Sequence, residues 1–393
     1  MHILYINDEL STADGSNYHA NGILRNLKHI LGKDNVRSFP QAVDGSQMHT
    51  NHTNLNLQKK HKNIMQLIRI FRKTILSYTR SRRLCHELEQ SGWIPTHILA
   101  RTIMFDTTAL MVARHFNAKL ICEVNTPMYY EHCIMNHLPF QKVVEHWEKK
   151  LLIHSDSIYV VSNVCRDMLC EHYGVEPSRF IVVPNGYMKD LYPLQDSNRE
   201  EIRCQIRSRE NLSDKFVVTF IGSLKPWHGI GLLCQVAQLL ASDSRIHFLV
   251  AGDGSERGQV EAYCSTHNNM TYKGKLPLSE MSEYLTASDL GIMPYAKMNN
   301  FYFSPLKMFD MIGAGLPFIG TDQGQIHDIC AELLNENFLI QDCNPVAVSQ
   351  QIIKLVESPS IHEQMKEKVC TVQQSMTWEN RTSALLDRIV SPF

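Results

Sequence analysis

Short apolar runs alternate along the chain with stretches whose apolar residues recur at helical spacing. Residues 1–7 (MHILYIN) read as a buried strand, and residues 19–32 as an amphipathic helix with Ile23, Leu24, Leu27, Ile30 and Leu31 on one side. Further strands are predicted at 96–100, 119–124, 157–162 and 180–183, with one helix from about 107 to 116 and another opening at Asn163. Pro127 closes a strand and starts a further helix. Residues 41–56 are polar and irregular, as in an exposed loop. Residues 59–83 carry apolar residues at helical spacing and a strongly basic opposite face. That pattern fits a helix packed on the core, and equally one lying on an anionic membrane. Residues 187–214 are charged and suit a linker or hinge. Beyond them the alternation resumes, with strands at 216–221, 246–251, 270–274, 290–295, 316–320 and 337–341. Helices at 344–357 and 360–374 and a last helix from Trp378 to Ile389 follow. Strand–helix alternation on both sides of a hinge predicts an α/β protein with two doubly wound domains.

One stretch, FYFSPLKMFDMIGAGLPFIGT at 301–321, concentrates the candidate chemistry. It reads as a loop, a helix of about three turns and a buried strand. Ser304 can cap the helix and Pro305 suits its first position. The N–H groups of Leu306 and Lys307 then lack intrahelical partners, and the positive end of the helix dipole makes this a phosphate seat. Lys307 and Asp310, three apart, fall near each other, where a cation and a carboxylate could hold a phosphate and a sugar hydroxyl. The plainer alternative is an ordinary capped helix with a surface ion pair.

Composition narrows the partners. The 393 residues suffice for two domains, and 44% hydrophobic with 20% charged residues is ordinary for a soluble enzyme. A net charge of −1 gives no global argument for nucleic acid. The 11 cysteines are scattered without a C-x-x-C pair, which points to reduced thiols in a cytosolic setting and away from a zinc ribbon. The start reads as a strand and not as a signal peptide, and no window approaches the ~20 apolar residues of a membrane span. No D-x-D pair occurs that would hold a metal-bound diphosphate, so no metal is expected.

The stretch at 301–321 resembles the signature of family 4 glycosyltransferases of the GT-B fold. Their pattern is a Glu, seven residues and a second Glu, ahead of a small-residue helix end and an apolar strand. The second Glu falls on Asp310 and the first on Tyr302, where this chain departs from the pattern. The run GSLKPWHG at 222–229 resembles a family loop that carries an Arg after its first Gly and a Lys before its last; those positions are Ser223 and His228 here, with Lys225 between them. VVPNG at 182–186 resembles the end of the family's first domain, and Gly252-Asp253-Gly254 a family turn. The turn Lys275-Leu276-Pro277 resembles one whose backbone pairs with the nucleotide base, and Gly15 matches a Gly-rich turn that faces the donor phosphate and the acceptor.

The resemblance implies a GT-B fold of two Rossmann-like domains facing across a cleft. It implies an acceptor domain at 1–190, a donor domain at 191–375, and a helix at 376–393 that returns to the first domain. The activity implied is retaining, metal-independent transfer of a hexosyl group from a UDP- or GDP-sugar, without cofactor. Donor contacts fall on Gly15, Ser223, Lys225, His228, Gly252, Lys275, Leu276, Tyr302, Ser304, Pro305, Leu306, Lys307 and Asp310. Acceptor contacts fall on Glu123, Asn125 and Thr126, past the end of a parallel strand; Asn125, Lys225 and Lys307 are the catalytic candidates. His132 reads as an incidental surface histidine. The acceptor, whether a glycan, a lipid-linked sugar or a small molecule, is not written in the sequence. The implied location is cytoplasmic, with 59–83 available to touch the inner membrane face. Two alternatives stay open: a nucleotide-sugar epimerase of the same fold, and an inactive binding or scaffold protein, which the replaced Glu, Arg and Lys positions favour.

Overall fold

The computed structural model describes residues 1–11, 15–40, 59–135, 140–192 and 196–390. The chain divides into two compact units, Met1–Pro184 with Thr382–Phe393, and Asn185–Arg381.

The first unit is built on a parallel sheet of Ile3–Ile6 (β1), Val36–Phe39 (β2), His97–Arg101 (β3), Lys119–Val124 (β4), Ser157–Val160 (β5) and Phe180–Val182 (β6). The strand order is β2-β1-β3-β4-β5-β6. Its helices are Gly15–Leu31 (α1), Lys59–Gln90 (α2), Thr108–Phe116 (α3), Gln141–His154 (α4) and Asn163–Tyr173 (α5). The chain moves from β1 to one side and returns to the other side at β3, so the order reverses there. In an open parallel sheet the ligand crevice lies beyond the strand ends at such a reversal.

Three local expectations change. The edge strand β2 escapes the hydrophobic pattern because only Val36 of its four residues is buried. After Pro127 the chain forms a π-helix at Tyr129–Met135 where an α-helix was expected. Its entry is set by the buried Glu148 of α4, whose carboxylate accepts the N–H of Met128 (2.7 Å) and of Tyr129 (3.0 Å). The basic helix continues past Arg83 to Gln90, because Leu84, Cys85 and Leu88 pack inward together with Ser77 and Ser81. Arg72, Lys73, Ile75, Leu76, Tyr78, Arg82 and Arg83 face outward. The loop expected at 41–56 lies outside the described residues.

The second unit begins with Asp196–Glu210 (α6) and carries a parallel sheet of Phe216–Ile221 (β7), Ile246–Ala251 (β8), Met270–Tyr272 (β9), Leu290–Met293 (β10), Phe318–Thr321 (β11) and Leu339–Ile340 (β12). The order is β12-β11-β10-β7-β8-β9. Its helices are Ile230–Leu239 (α7), Arg257–Cys264 (α8), Leu278–Thr286 (α9), Leu306–Gly313 (α10), Gly324–Ile329 (α11), Pro345–Glu357 (α12) and Pro359–Gln373 (α13). A last helix, Trp378–Val390 (α14), starts in this unit and ends in the first. β12 is shorter than the predicted 337–341, because the Asn335 side chain accepts the Asn337 N–H and winds Glu336–Phe338 into a 3-10 turn. The order reverses between β7 and β10, so the loops after those two strands border this sheet's crevice. Among the described residues no helix is long and apolar enough to cross a membrane.

Candidate functional site

Three loops of the second unit meet backbone to backbone. A Cβ on Gly252 (φ +144°), after β8, would lie 1.8 Å from the Gly222 carbonyl oxygen after β7. A Cβ on Gly229 (φ +74°) would lie 1.6 Å from the Pro294 carbonyl oxygen after β10. Only glycine fits at either point. The Gly252 N–H continues the chain of contacts to the Gly274 carbonyl (2.7 Å), so the turn at Lys275 and Leu276 is tied to the same loops. Lys275 is exposed and Leu276 half-buried.

Lys307 lies within this frame. It is 7% exposed, and its Nζ is buried without a hydrogen-bond partner. The amine sits 4.1 Å from the centre of the Phe220 ring and 5.0 Å from that of Tyr295. Burial lowers its pKa from 10.5 to about 7. The surface ion pair considered for Lys307 and Asp310 is thus not formed: the helix turns the lysine under the aromatic rings. Asp310 is buried as well and accepts the Tyr192 hydroxyl at 3.0 Å.

His228 borders the lysine. Its Nδ1 donates to the Ser223 carbonyl, which fixes the neutral tautomer with Nε2 unprotonated. Burial first, then the nearby Lys307 and Lys225, push its pKa down to about 3. Lys225 and Ser223 are exposed at the loop tip. Two of the predicted positions, Lys225 and Lys307, therefore both act on a third, His228, in the loop after β7.

Two other expectations are corrected. Ser304 does not cap α10. Its hydroxyl accepts the Asn185 N–H (3.0 Å) and its carbonyl accepts Asn185 Nδ2 (2.7 Å), so Pro305 stands at the N-cap with no side-chain cap. Leu306 opens the helix, half-buried. Tyr302, aligned with the pattern's first Glu, is 1% exposed with its ring 4.3 Å from that of Phe303. Phe220 and Tyr295 were missed. Their apolar runs were legible, but which side chains face the lysine depends on strand register.

In the first unit the candidates gather around a buried acid. Glu123, expected to face an acceptor, is 0% exposed. Its carboxylate accepts the Tyr5 hydroxyl (3.0 Å), pairs with His19 Nε2 (3.0 Å), accepts Asn125 Nδ2 (3.2 Å) and lies 3.5 Å from Arg101 Nη1. Burial raises its pKa, but His19, Arg101 and Tyr5 outweigh burial and hold it below the ordinary carboxylate value. Both carboxylate oxygens of Glu123 are thus engaged by protein groups. Asn125 is half-buried, with its Oδ1 enclosed and lacking a hydrogen-bond partner, and Thr126 is half-buried. Gly15 is the first residue of α1. Tyr5, His19 and Arg101 were missed, since sequence spacing does not show that β1, α1 and β3 deliver them to one carboxylate. Among the described residues no group of His, Cys, Asp and Glu is placed to hold a metal ion.

Comparison with known proteins follows the same division. The family model described as Glycosyltransferase Family 4 matches residues 55–190, and the one described as Glycosyl transferases group 1 matches residues 215–358. A putative teichuronic acid biosynthesis glycosyltransferase, TuaH of Bacillus subtilis, is 26% identical over 46% of the chain and 44% of its own length. The D-inositol 3-phosphate glycosyltransferase of Segniliparus rotundus is 22% identical over 63% of the chain and 54% of its own length. The matches thus span about half of these curated relatives. Among solved structures, HepE of Anabaena in complex with UDP superposes with a TM-score of 0.72 at 13% identity, over 99% of this chain and 100% of that one. Sucrose-phosphate synthase of Thermosynechococcus elongatus gives 0.66 at 14% identity, over 99% of both chains. At such identities the likeness is one of fold.

Proposed function

Because the chain belongs to the group 1, family 4 glycosyltransferases and has their GT-B fold, we propose that it moves a hexosyl group from a nucleotide-diphosphate sugar to an acceptor hydroxyl. The observation that carries this reading is the buried, unpartnered amine of Lys307 at the crevice edge of the second sheet. A buried amine without a hydrogen-bond partner calls for a ligand that accepts from it, and an anionic one also matches its charged form. The diphosphate lies between the N-terminus of α10, Lys307 and Lys225. The crystal structures of HepE with UDP and with UDP-glucose favour a uridine donor.

In this reading the acceptor oxygen bonds to the anomeric carbon as the bond from that carbon to the phosphate oxygen breaks. Negative charge grows on the leaving diphosphate, where Lys225, Lys307 and the helix N-terminus stabilise it. The leaving phosphate takes the acceptor's proton, and the anomeric configuration is retained. Asp310, fixed by Tyr192, takes the ribose hydroxyls. The lysines and helix end supply the positive charge that a metal ion would otherwise bring, so the reaction needs neither metal nor cofactor. Asn125 and Thr126 face the acceptor. The outward face of α2, with Arg72, Lys73, Arg82 and Arg83 beside Ile75, Leu76 and Tyr78, suits peripheral contact with the inner membrane surface from the cytoplasm.

Titration calorimetry and nucleotide release with UDP- and GDP-sugars, without and then with divalent metal, test the assignment. One donor is expected to bind and slowly release nucleotide in the absence of metal. Lys225→Ala and Asp310→Ala are expected to lower donor use by about 10- to 1,000-fold. The buried Tyr302 at the place of a Glu favours one other reading, a binding protein without turnover. Tight nucleotide binding with no release or transfer would select it, and no nucleotide binding at all would remove both.

A further inference from the structure

For a lysine assigned to a diphosphate, Lys307 is held in an unusual way: its amine is buried. Within the described residues its amine has no hydrogen-bond acceptor and forms no ion pair. The groups around it come from three elements. β7 and its loop contribute Phe220, Gly222, Lys225 and His228. The loop after β10 contributes Tyr295. On α10 itself, Asp310 is one turn onward and is engaged by Tyr192. The ionisable neighbours His228, held neutral, and Lys225 supply no negative charge, and the Tyr295 hydroxyl stays protonated because burial raises its pKa. Two aromatic faces offset part of the lost hydration of an ammonium but offer no counter-charge. Gly222 completes the cage, since a Cβ there would sit 3.2 Å from Nζ.

We infer that Lys307 is stored as an uncharged amine and is protonated as the donor's diphosphate arrives, so that nucleotide binding and proton uptake are one event. The proton passes from buffer to the Nζ lone pair, and the ammonium so formed meets the incoming phosphate oxygens. This deepens the donor-site reading above and rests on it. The lowered pKa of about 7 agrees with the geometry. It also sets the direction of the effect. Below that value the free protein already holds the proton, and above it binding must supply the proton.

The experiment titrates the full chain with UDP, and with GDP in parallel, by calorimetry in buffers of different ionisation enthalpy. At about pH 8 the expected uptake is close to one proton per nucleotide bound, and at about pH 6 it is close to zero. Affinity falls by up to about tenfold for each pH unit above ~7. Lys307→Met is expected to bind weakly without uptake, and Lys307→Arg to bind without uptake because its guanidinium is charged throughout. The wild-type proton count decides the matter even where a variant fails to fold. Nucleotide binding at about pH 8 with no proton uptake overturns the inference and leaves the donor site standing. Uptake that persists in Lys307→Met places the proton on His228 or on the phosphate and overturns it too. Absence of any nucleotide binding removes the donor-site reading, and the inference falls with it.

Discussion

Glu123 is enclosed on every side, yet it remains a carboxylate because Tyr5, His19, Asn125 and Arg101 converge on it. Taking away one member of such a buried set leaves the others unpaired, which costs about 3–5 kcal/mol. Glu123→Ala is therefore expected to destabilise the protein by that amount in urea unfolding. Glu123→Gln should cost less, since its amide oxygen still accepts from Asn125 while its amide nitrogen faces the Tyr5 oxygen as a donor. The pH dependence has a definite sign. The folded pKa lies below the unfolded value of about 4.5, so this stabilisation is complete above that value and is lost as pH falls through the folded pKa. Glu123→Gln should flatten the acid limb of the stability curve, and an unchanged acid limb would refute the assignment. The residue type and its place at the end of a strand were legible in the sequence. Its burial was not, because that follows from three partners brought from 118, 104 and 22 residues away.

At the scale of elements, the parallel strands with continuous apolar runs were easiest to read, because both of their faces are covered. Reading failed where a tertiary partner overruled a local preference. Ser304 has the chemistry of an N-cap, but Asn185 claims its hydroxyl. Pro127 can open an α-helix, but the Glu148 carboxylate takes the first amides and a π-helix follows. For α2 the sequence left two readings, and the structure sharpens the question. Ile75, Leu76 and Tyr78 are 60%, 51% and 46% exposed although the helix has a buried face of its own. Arg72, Lys73, Arg82 and Arg83 lie on the exposed side, and each basic residue near an anionic surface contributes about 1 kcal/mol. The protein is expected to sediment with phosphatidylserine vesicles at low salt and to be released at high salt. Ile75→Ser with Leu76→Ser should weaken this while leaving stability within about 0.5 kcal/mol, as the side chains lie outside the core. Equal binding to neutral and anionic vesicles, or none to either, would reduce α2 to a solvated helix.

At the scale of the whole molecule, α14 belongs to both units. Its first turn is fixed in the second, where the Trp378 N–H bonds the Tyr187 carbonyl at 3.0 Å and Trp378 itself is buried. From Thr382 onward it belongs to the first, where Leu385, Leu386 and Ile389 are buried. Full burial of one such side chain stabilises by roughly 1.5–3 kcal/mol, so the end of the chain is a sizeable part of the first unit's core. Ending the chain after Arg381 should therefore lower the unfolding midpoint of the first unit. The loops after β7, β8 and β10 and Lys307 lie wholly in the second unit, so calorimetric affinity for UDP should change little. Amide exchange resolves the two effects: β1, β3 and β4 should exchange faster in the shortened chain, while β7, β8 and β10 keep their protection. If all six strands lost protection together, the two units would unfold as one, and the nucleotide site would depend on the first unit's stability. Retained protection in β7, β8 and β10 with lost UDP binding would overturn the placement of the nucleotide site wholly within the second unit.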